Sequence, residues 1–237
     1  MSLSRLKRID AAIQKHGLGR KASPDANDHR YLLRAITPPP VVLTRYWSAG
    51  VVLNQGQTSE CVANAWTGFL MAAPLKDTLS ALGGVAFVHQ LYTEAQERDE
   101  WPGTGYDGTS VRGGVKALVD RHRVGEFRWA FDAETCRQWV LTRGPLVFGT
   151  DWYEEMFVPD ARAYLHDKGT VAGGHAYLVV GFSQKRWAFR IVNSWGREWA
   201  GSEGGRAWLP FDVADRLVQA QGEACSAIEL TPPPVIP

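Results

Sequence analysis

The chain has 237 residues, enough for one large domain or two small lobes sharing a cleft. Its hydrophobic content of 45% and charged content of 22% are ordinary globular values, which excludes a disordered or fibrous chain. A formal net charge of +1 at pH 7 gives no electrostatic reason to expect nucleic acid or an anionic membrane as partner, and no run approaches the length of a membrane span.

Three cysteines, Cys61, Cys136 and Cys225, permit at most one disulfide, which argues against a disulfide-stapled secreted scaffold. Residues 1–8 are basic and amphipathic and lack the apolar core of a Sec-type signal. The expected location is the cytoplasm of a bacterial cell, or outside it by a route that uses no such signal. Ten tryptophans are many for this length, and most are expected in the core or in cleft walls.

Along the chain, residues 1–40 are polar and basic, with weak helical spacing at Leu6, Ile9, Ala12 and Ile13, and close on a stiff Pro38-Pro39-Pro40 stop. This stretch reads as an arm or short pro-like extension. Residues 41–46 are predicted extended. Helices are predicted over 61–75, 85–98, 110–122 and, capped by Asp132, up to Arg143. After Gly144-Pro145 the period changes, with strands predicted over 146–149, 176–182, 187–193 and 206–209 and a hairpin loop at 183–185. A helix-rich first half followed by a strand-rich second half is the pattern of an α+β protein with two packed lobes. The main body is expected over 41–230, its helical lobe mainly 54–143 and its β lobe mainly 145–230, with 231–237 a Pro-rich tail.

Three segments carry chemistry. Cys61 stands where the loop 54–60 meets a helix start, and the positive end of the helix dipole there favours a thiolate. Gln55, six residues before it, is placed to turn its side-chain NH2 toward a carbonyl oxygen that the Cys61 N–H also reaches, as an oxyanion hole requires. His175 follows Gly173-Gly174 at the mouth of an apolar strand, and Asn193 ends the next one. Two antiparallel strands joined by a hairpin bring those positions together, so that Asn193 accepts from the imidazole and Trp195 covers the bond. Each segment alone has a plainer explanation: a buried structural cysteine, a satisfied strand-end histidine, a turn at Asn193-Ser194. Their occurrence together makes coincidence a poor account.

Taken together, Gln55-Gly56-x4-Cys61, Gly174-His175-Ala176 and Asn193-Ser194-Trp195-Gly196-x2-Trp199 resemble the papain-like cysteine peptidases. The resemblance covers roughly residues 41–209. It implies a papain-like two-lobe α+β fold, a helical lobe plus an antiparallel β-barrel-like lobe with the active site in the cleft between them. It also implies roles: Cys61 as nucleophile, His175 as base and then acid, Asn193 as imidazole orienter, Gln55 as oxyanion donor, and a resting thiolate–imidazolium pair. Gly108, in the Gly-rich stretch 105–109, and Trp195 are the implied substrate-binding residues. The substrate is a peptide or polypeptide, and the chemistry needs no metal and no organic cofactor.

The sequence departs from the family in several places. Thr58 replaces the usual cysteine three residues before the nucleophile, so the lobe's familiar disulfide cannot form. Glu60 and Val62 replace the usual neighbours of the nucleophile, and Glu60 is expected to face solvent. The first forty residues are too short for the family's long helical propeptide, so the enzyme is either made active or restrained by another device. Residues 152–157 are expected mainly as core with some contribution to a cleft wall. Two rival readings use the same residues: an amidase, transpeptidase or effector-type hydrolase, and a catalytically silent papain-like binding module.

Overall fold

The structure is a computed structural model and describes residues 2–33 and 42–228. The Pro38-Pro39-Pro40 stop and the Pro232-Pro233-Pro234 tail lie outside the described residues. In chain order the helices and strands are α1 (Leu3–Lys15), β1 (Thr44–Tyr46), α2 (Cys61–Met71), α3 (Leu79–Leu82), α4 (Val85–Arg98), α5 (Val111–Asp120), β2 (Glu126–Ala130), α6 (Ala133–Thr142), β3 (Leu146–Tyr153), β4 (Val171–Ser183), β5 (Ala188–Val192), β6 (Arg206–Pro210), α7 (Phe211–Gln219) and β7 (Glu223–Ile228).

The strands form one antiparallel sheet in the order β2-β7-β3-β4-β5-β6, and β1 adds to β4. Side chains along a strand alternate between faces, so the sheet serves two cores. Val147, Ala176, Leu178 and Cys225 face α2, α4 and α5, while Phe148, Tyr177, Val179 and Ile191 face α6 and α7. This is an α+β arrangement, as expected from the sequence, with α2 packed against the centre of the sheet.

Helix α2 is buried on nearly every side, which is why its sequence is apolar all round. The polar groups it carries are satisfied internally: Thr67 Oγ1 donates to the Ala63 carbonyl, and Asn64 Nδ2 donates to that of Glu60. Trp66 is fully buried, donates Nε1 to the Val111 carbonyl at 3.0 Å, and lies against Gly114 of α5, where a Cβ would come within 2.4 Å of its ring. Truncating Trp66 to Ala is expected to cost about 3–5 kcal/mol.

Several boundaries differ from expectation for identifiable reasons. Helix α2 stops at Met71, short of Leu75, because Pro74 has no N–H to donate and restricts Ala73 before it. Asp132 and Ser110 do cap α6 and α5 through their side-chain oxygens. Strand β4 starts five residues before Ala176, carried through Gly173-Gly174 by pairing with β3. Strand β2 within the predicted helical stretch and helix α7 within the strand-rich one lie outside the simple division, and strand β7 was not predicted.

The N-terminal arm folds onto the body. Ile9 of α1 is buried beside Met156 and Phe157, and Arg5 donates to the Val158 carbonyl at 3.0 Å. Further on, Arg112 of α5 pairs with Asp28 and donates to the Ser23 carbonyl, while residues 31–33 hydrogen-bond along Trp129 of β2. Between these anchors, residues 16–21 cross the sheet–helix junction.

Candidate active site

Cys61 is the first residue of α2, so its side chain meets helix N–H groups that lack an intrahelical acceptor. The sulfur also faces the backbone N–H groups of Ala176 and of Gly19 in the arm. His175 lies on β4 opposite Thr150 of β3, and Asn193 follows the end of β5. The β4–β5 hairpin brings the two together: His175 Nε2 donates to Asn193 Oδ1 at 2.8 Å, and the Ser194 N–H donates to the same oxygen at 2.7 Å. That bond fixes the ring's tautomer and leaves Nδ1 as its other polar atom.

Aromatic rings clamp the imidazole. Trp195 stacks on it at 4.6 Å and 28°, and Trp152 meets it edge-on at 4.7 Å and 70°. Trp152 itself is fully buried, so this part of the 152–157 stretch supports the site while Met156 and Phe157 belong to the core.

Gln55 is held from two sides by one residue. Its N–H donates to the Ser194 carbonyl at 2.8 Å, and its Oε1 accepts from Ser194 Oγ at 2.6 Å. The side-chain NH2 is thereby turned away from Ser194, where it donates to the Thr58 carbonyl at 2.7 Å and to the Gly17 carbonyl at 3.2 Å. Gly17 O also accepts from Trp195 Nε1 at 3.2 Å.

The arm therefore occupies the cleft. His16 stacks on Trp195 at 4.6 Å, the Gly17 N–H donates to the Gly56 carbonyl, and the Gly19 and Arg20 N–H groups both donate to the Gly174 carbonyl. Thr109 then takes the arm as a short parallel bridge, donating to Gly19 O at 2.8 Å and accepting from the Lys21 N–H at 2.9 Å. The approach is close enough to require glycine on both sides. A Cβ on Gly17 would stand 2.2 Å from the Thr58 carbonyl oxygen and one on Gly19 2.0 Å from that of Ser59. One on Gly108 would stand 2.2 Å from Gly19 O. Gly108 thus admits a chain beside it, and the backbone pairing falls to its neighbour Thr109.

Two expectations are corrected. Glu60 does not face solvent: its side chain is buried and its Oε1 meets His89 Nδ1 at 2.6 Å, while Oε2 accepts from Thr58 Oγ1 at 3.2 Å. The resting thiolate–imidazolium pair is not the state described. Burial pushes the Cys61 thiol up to about 11 and pulls the His175 imidazole down to about 4, the Asn193 bond opposing only the latter. Nδ1 of His175 has no hydrogen-bond partner. Burial thus opposes the charged form of both groups while the arm covers them. All three cysteines are buried and free.

All six residues singled out in the sequence, Gln55, Cys61, Gly108, His175, Asn193 and Trp195, line this junction. Sequence reading missed Ser194 as the Gln55 anchor, although it sits inside the motif. It also missed Thr109 and the arm, for which the alternating Gly17-Leu18-Gly19 was an available signal. Among the described residues no group of acidic, His and Cys side chains forms a metal site, and no helix is long and apolar enough to cross a membrane.

No family model matches the chain. It is 28% identical over 95 residues to cathepsin B-like cysteine proteinase 3 of Ostertagia ostertagi and 31% identical over 70 residues to cathepsin B-like cysteine proteinase 6 of Caenorhabditis elegans. These matches take in 38% and 29% of this chain, and they span only 55% and 18% of the relatives' own lengths. Among solved structures it is similar to xylellain, a cysteine protease from Xylella fastidiosa, with a TM-score of 0.64 at 19% identity over 92% of this chain and 98% of that one. It is similar also to digestive procathepsin L2 proteinase of Tenebrio molitor, with a TM-score of 0.60 at 16% identity over 96% of this chain and 81% of that one. At such identities the structural likeness speaks for the shared fold.

Proposed function

We propose, on its likeness to cathepsin B-like proteinases and to cysteine-protease structures, that the chain belongs to the papain-like cysteine peptidase family and hydrolyses peptide bonds through a thioester on Cys61. The observation that carries this reading is the pairing of His175 Nε2 with Asn193 Oδ1 at 2.8 Å, which leaves Nδ1 for proton transfer, while the thiol at a helix N-terminus faces the N–H of Ala176, the next residue. Cys61 attacks the carbonyl carbon, and His175 takes the thiol proton and passes it to the leaving amine. A water deprotonated by His175 then cleaves the thioester. The Gln55 NH2 stabilises the oxyanion in both steps. The substrate is a peptide or polypeptide, and a bacterial origin accords with the Xylella neighbour.

The arm is, in this reading, an internal block. His175 and Trp195 lie where the leaving amine departs, and Thr109 lies on the acyl side. A cleavable peptide carries its acyl half toward its own N-terminus, so it would run from Thr109 to Trp195. The arm runs the other way, from His16 on Trp195 to Lys21 at Thr109. It fills the cleft with its peptide bonds reversed and so resists attack. The device that restrains the thiol is the short threaded segment at residues 16–21.

Labelling with an epoxide-type thiol reagent tests the nucleophile in a chain carrying Gly19→Val, whose added side chain meets the Ser59 carbonyl and forces the arm from the cleft. Uptake at Cys61 that is lost when Cys61→Ala is added is expected; equal uptake by both proteins would sink the assignment.

A further inference from the structure

Glu60 holds the N-cap position of α2, immediately before the nucleophile, yet its side chain makes no capping bond. A carboxylate at such a position ordinarily turns onto the N–H of the second or third helical residue and lies against the positive end of the helix. The second residue of α2 is Val62, and its N–H faces the Cys61 sulfur. A capping carboxylate would therefore take a donor that the sulfur uses and set a negative charge beside it. The Glu60 carboxylate goes elsewhere. It is largely enclosed, with Oε1 accepting from His89 Nδ1 of α4 at 2.6 Å and Oε2 from Thr58 Oγ1 at 3.2 Å. A carboxylate offers only acceptors, so the imidazole is the donor. The Glu60 main-chain carbonyl takes the N–H and the Nδ2 of Asn64, which fixes the residue at the head of the helix. His89 itself is more than half exposed, and nothing in the proposed peptide-bond chemistry uses it.

We infer that His89 is a positioning residue for the nucleophile: by binding the Glu60 carboxylate it leaves the Val62 N–H and the positive end of α2 to the Cys61 sulfur. Thr58 steers the second oxygen the same way, but its hydroxyl also donates to the Gln55 carbonyl at 2.8 Å. The shorter bond from His89 therefore carries most of the hold. Without it the carboxylate has waiting acceptor targets, because the first N–H groups of a helix lack partners within it. His175 and Asn193 sit on and beside the β4–β5 hairpin, away from α4, so the effect falls on the thiol and not on the imidazole. This role rests on the peptidase reading for the use made of the thiol, but the thiol's reactivity is measured without hydrolysis.

The test alkylates the full chain carrying Gly19→Val with iodoacetamide and follows modification of Cys61 by mass spectrometry across a range of pH. His89→Ala on this background is expected to slow alkylation at pH 7 by about threefold to tenfold and to move the thiol's titration upward, since the freed carboxylate caps the helix beside the sulfur. His89→Asn keeps an N–H donor near the place of Nδ1 and is expected to restore most of the lost rate. Adding Glu60→Ala to His89→Ala is expected to restore it as well, because the competing carboxylate is gone. An unchanged rate and titration in His89→Ala, or a loss that persists in either restoring variant, would overturn the role. If the chain with Glu60→Ala does not fold, the asparagine variant decides alone. The expected rate pattern in a chain that cleaves no peptide would keep the role of His89 and refute the peptidase reading instead.

Discussion

Ser194 Oγ donates a 2.6 Å hydrogen bond to Gln55 Oε1, joining the loop before α2 to the loop after β5. Asn193 holds His175 at the same time. Neighbouring residues of one short loop therefore position the imidazole and the amide that would meet the oxyanion. The coupling makes the orientation of the two groups interdependent, although they come from separate parts of the chain.

Ser194→Ala is expected to free the Gln55 amide to rotate while its backbone bond to residue 194 remains. On the Gly19→Val background kcat should fall about tenfold with KM little changed, less than the roughly 10²–10³ that follows outright removal of an oxyanion donor. Steady-state kinetics on a peptide amide checks this. A change confined to KM would contradict a positioning role.

Asn193→Ala removes the acceptor for His175 Nε2 and leaves the ring held by Trp195 and Trp152 alone. On the Gly19→Val background turnover is expected to fall about tenfold to a hundredfold, below the cost of losing a general base altogether, which reaches about 10²–10⁴. Covalent labelling of Cys61 should remain detectable. Unchanged turnover would show that the rings suffice to orient His175.

The Cys61 and His175 positions were legible because the chemistry needs particular residue types at spacings that a helix start and a hairpin provide. Asn193 was legible for the same reason. Glu60 was not: beside the nucleophile it reads as a solvated charge, and only the fold brings His89 within 2.6 Å of it. The arm was legible as an arm or short pro-like extension with a weak helix. Gly17-Leu18-Gly19 signals a close approach, but its partners Thr58, Ser59 and Gly108 are distant positions that no local pattern names.

With the arm in place, His175 is expected to stay neutral from pH 8 down to about 4, its imidazole lowered chiefly by burial, with His16 adding repulsion. The unfolded chain takes up this proton near the ordinary value of about 6.5. The group's contribution to stability is therefore complete above that value and is lost as pH falls from 6.5 toward 4, at roughly 1.4 kcal/mol per pH unit. Nitrogen chemical shifts of labelled histidine follow the titration directly. An imidazolium at pH 6 in the wild-type chain would contradict the enclosed, neutral pair.

Gly19→Val places a side chain where a Cβ already stands 2.0 Å from the Ser59 carbonyl oxygen, so the arm has to leave the cleft. Admission of water should lower the Cys61 thiol from about 11 and speed its alkylation at pH 7 by at least about tenfold over the wild-type chain. Equal alkylation of the two proteins would mean that the arm does not guard the thiol.

Hydrolysis of a peptide amide by the Gly19→Val chain, with and without Cys61→Ala, reaches the central claim most directly. The account requires cleavage by the first protein, a thioester on Cys61 trapped by acid quench, and loss of both in the second. Cleavage that persists without the Cys61 thiol, or a labelled and accessible Cys61 that cleaves no peptide, would contradict it.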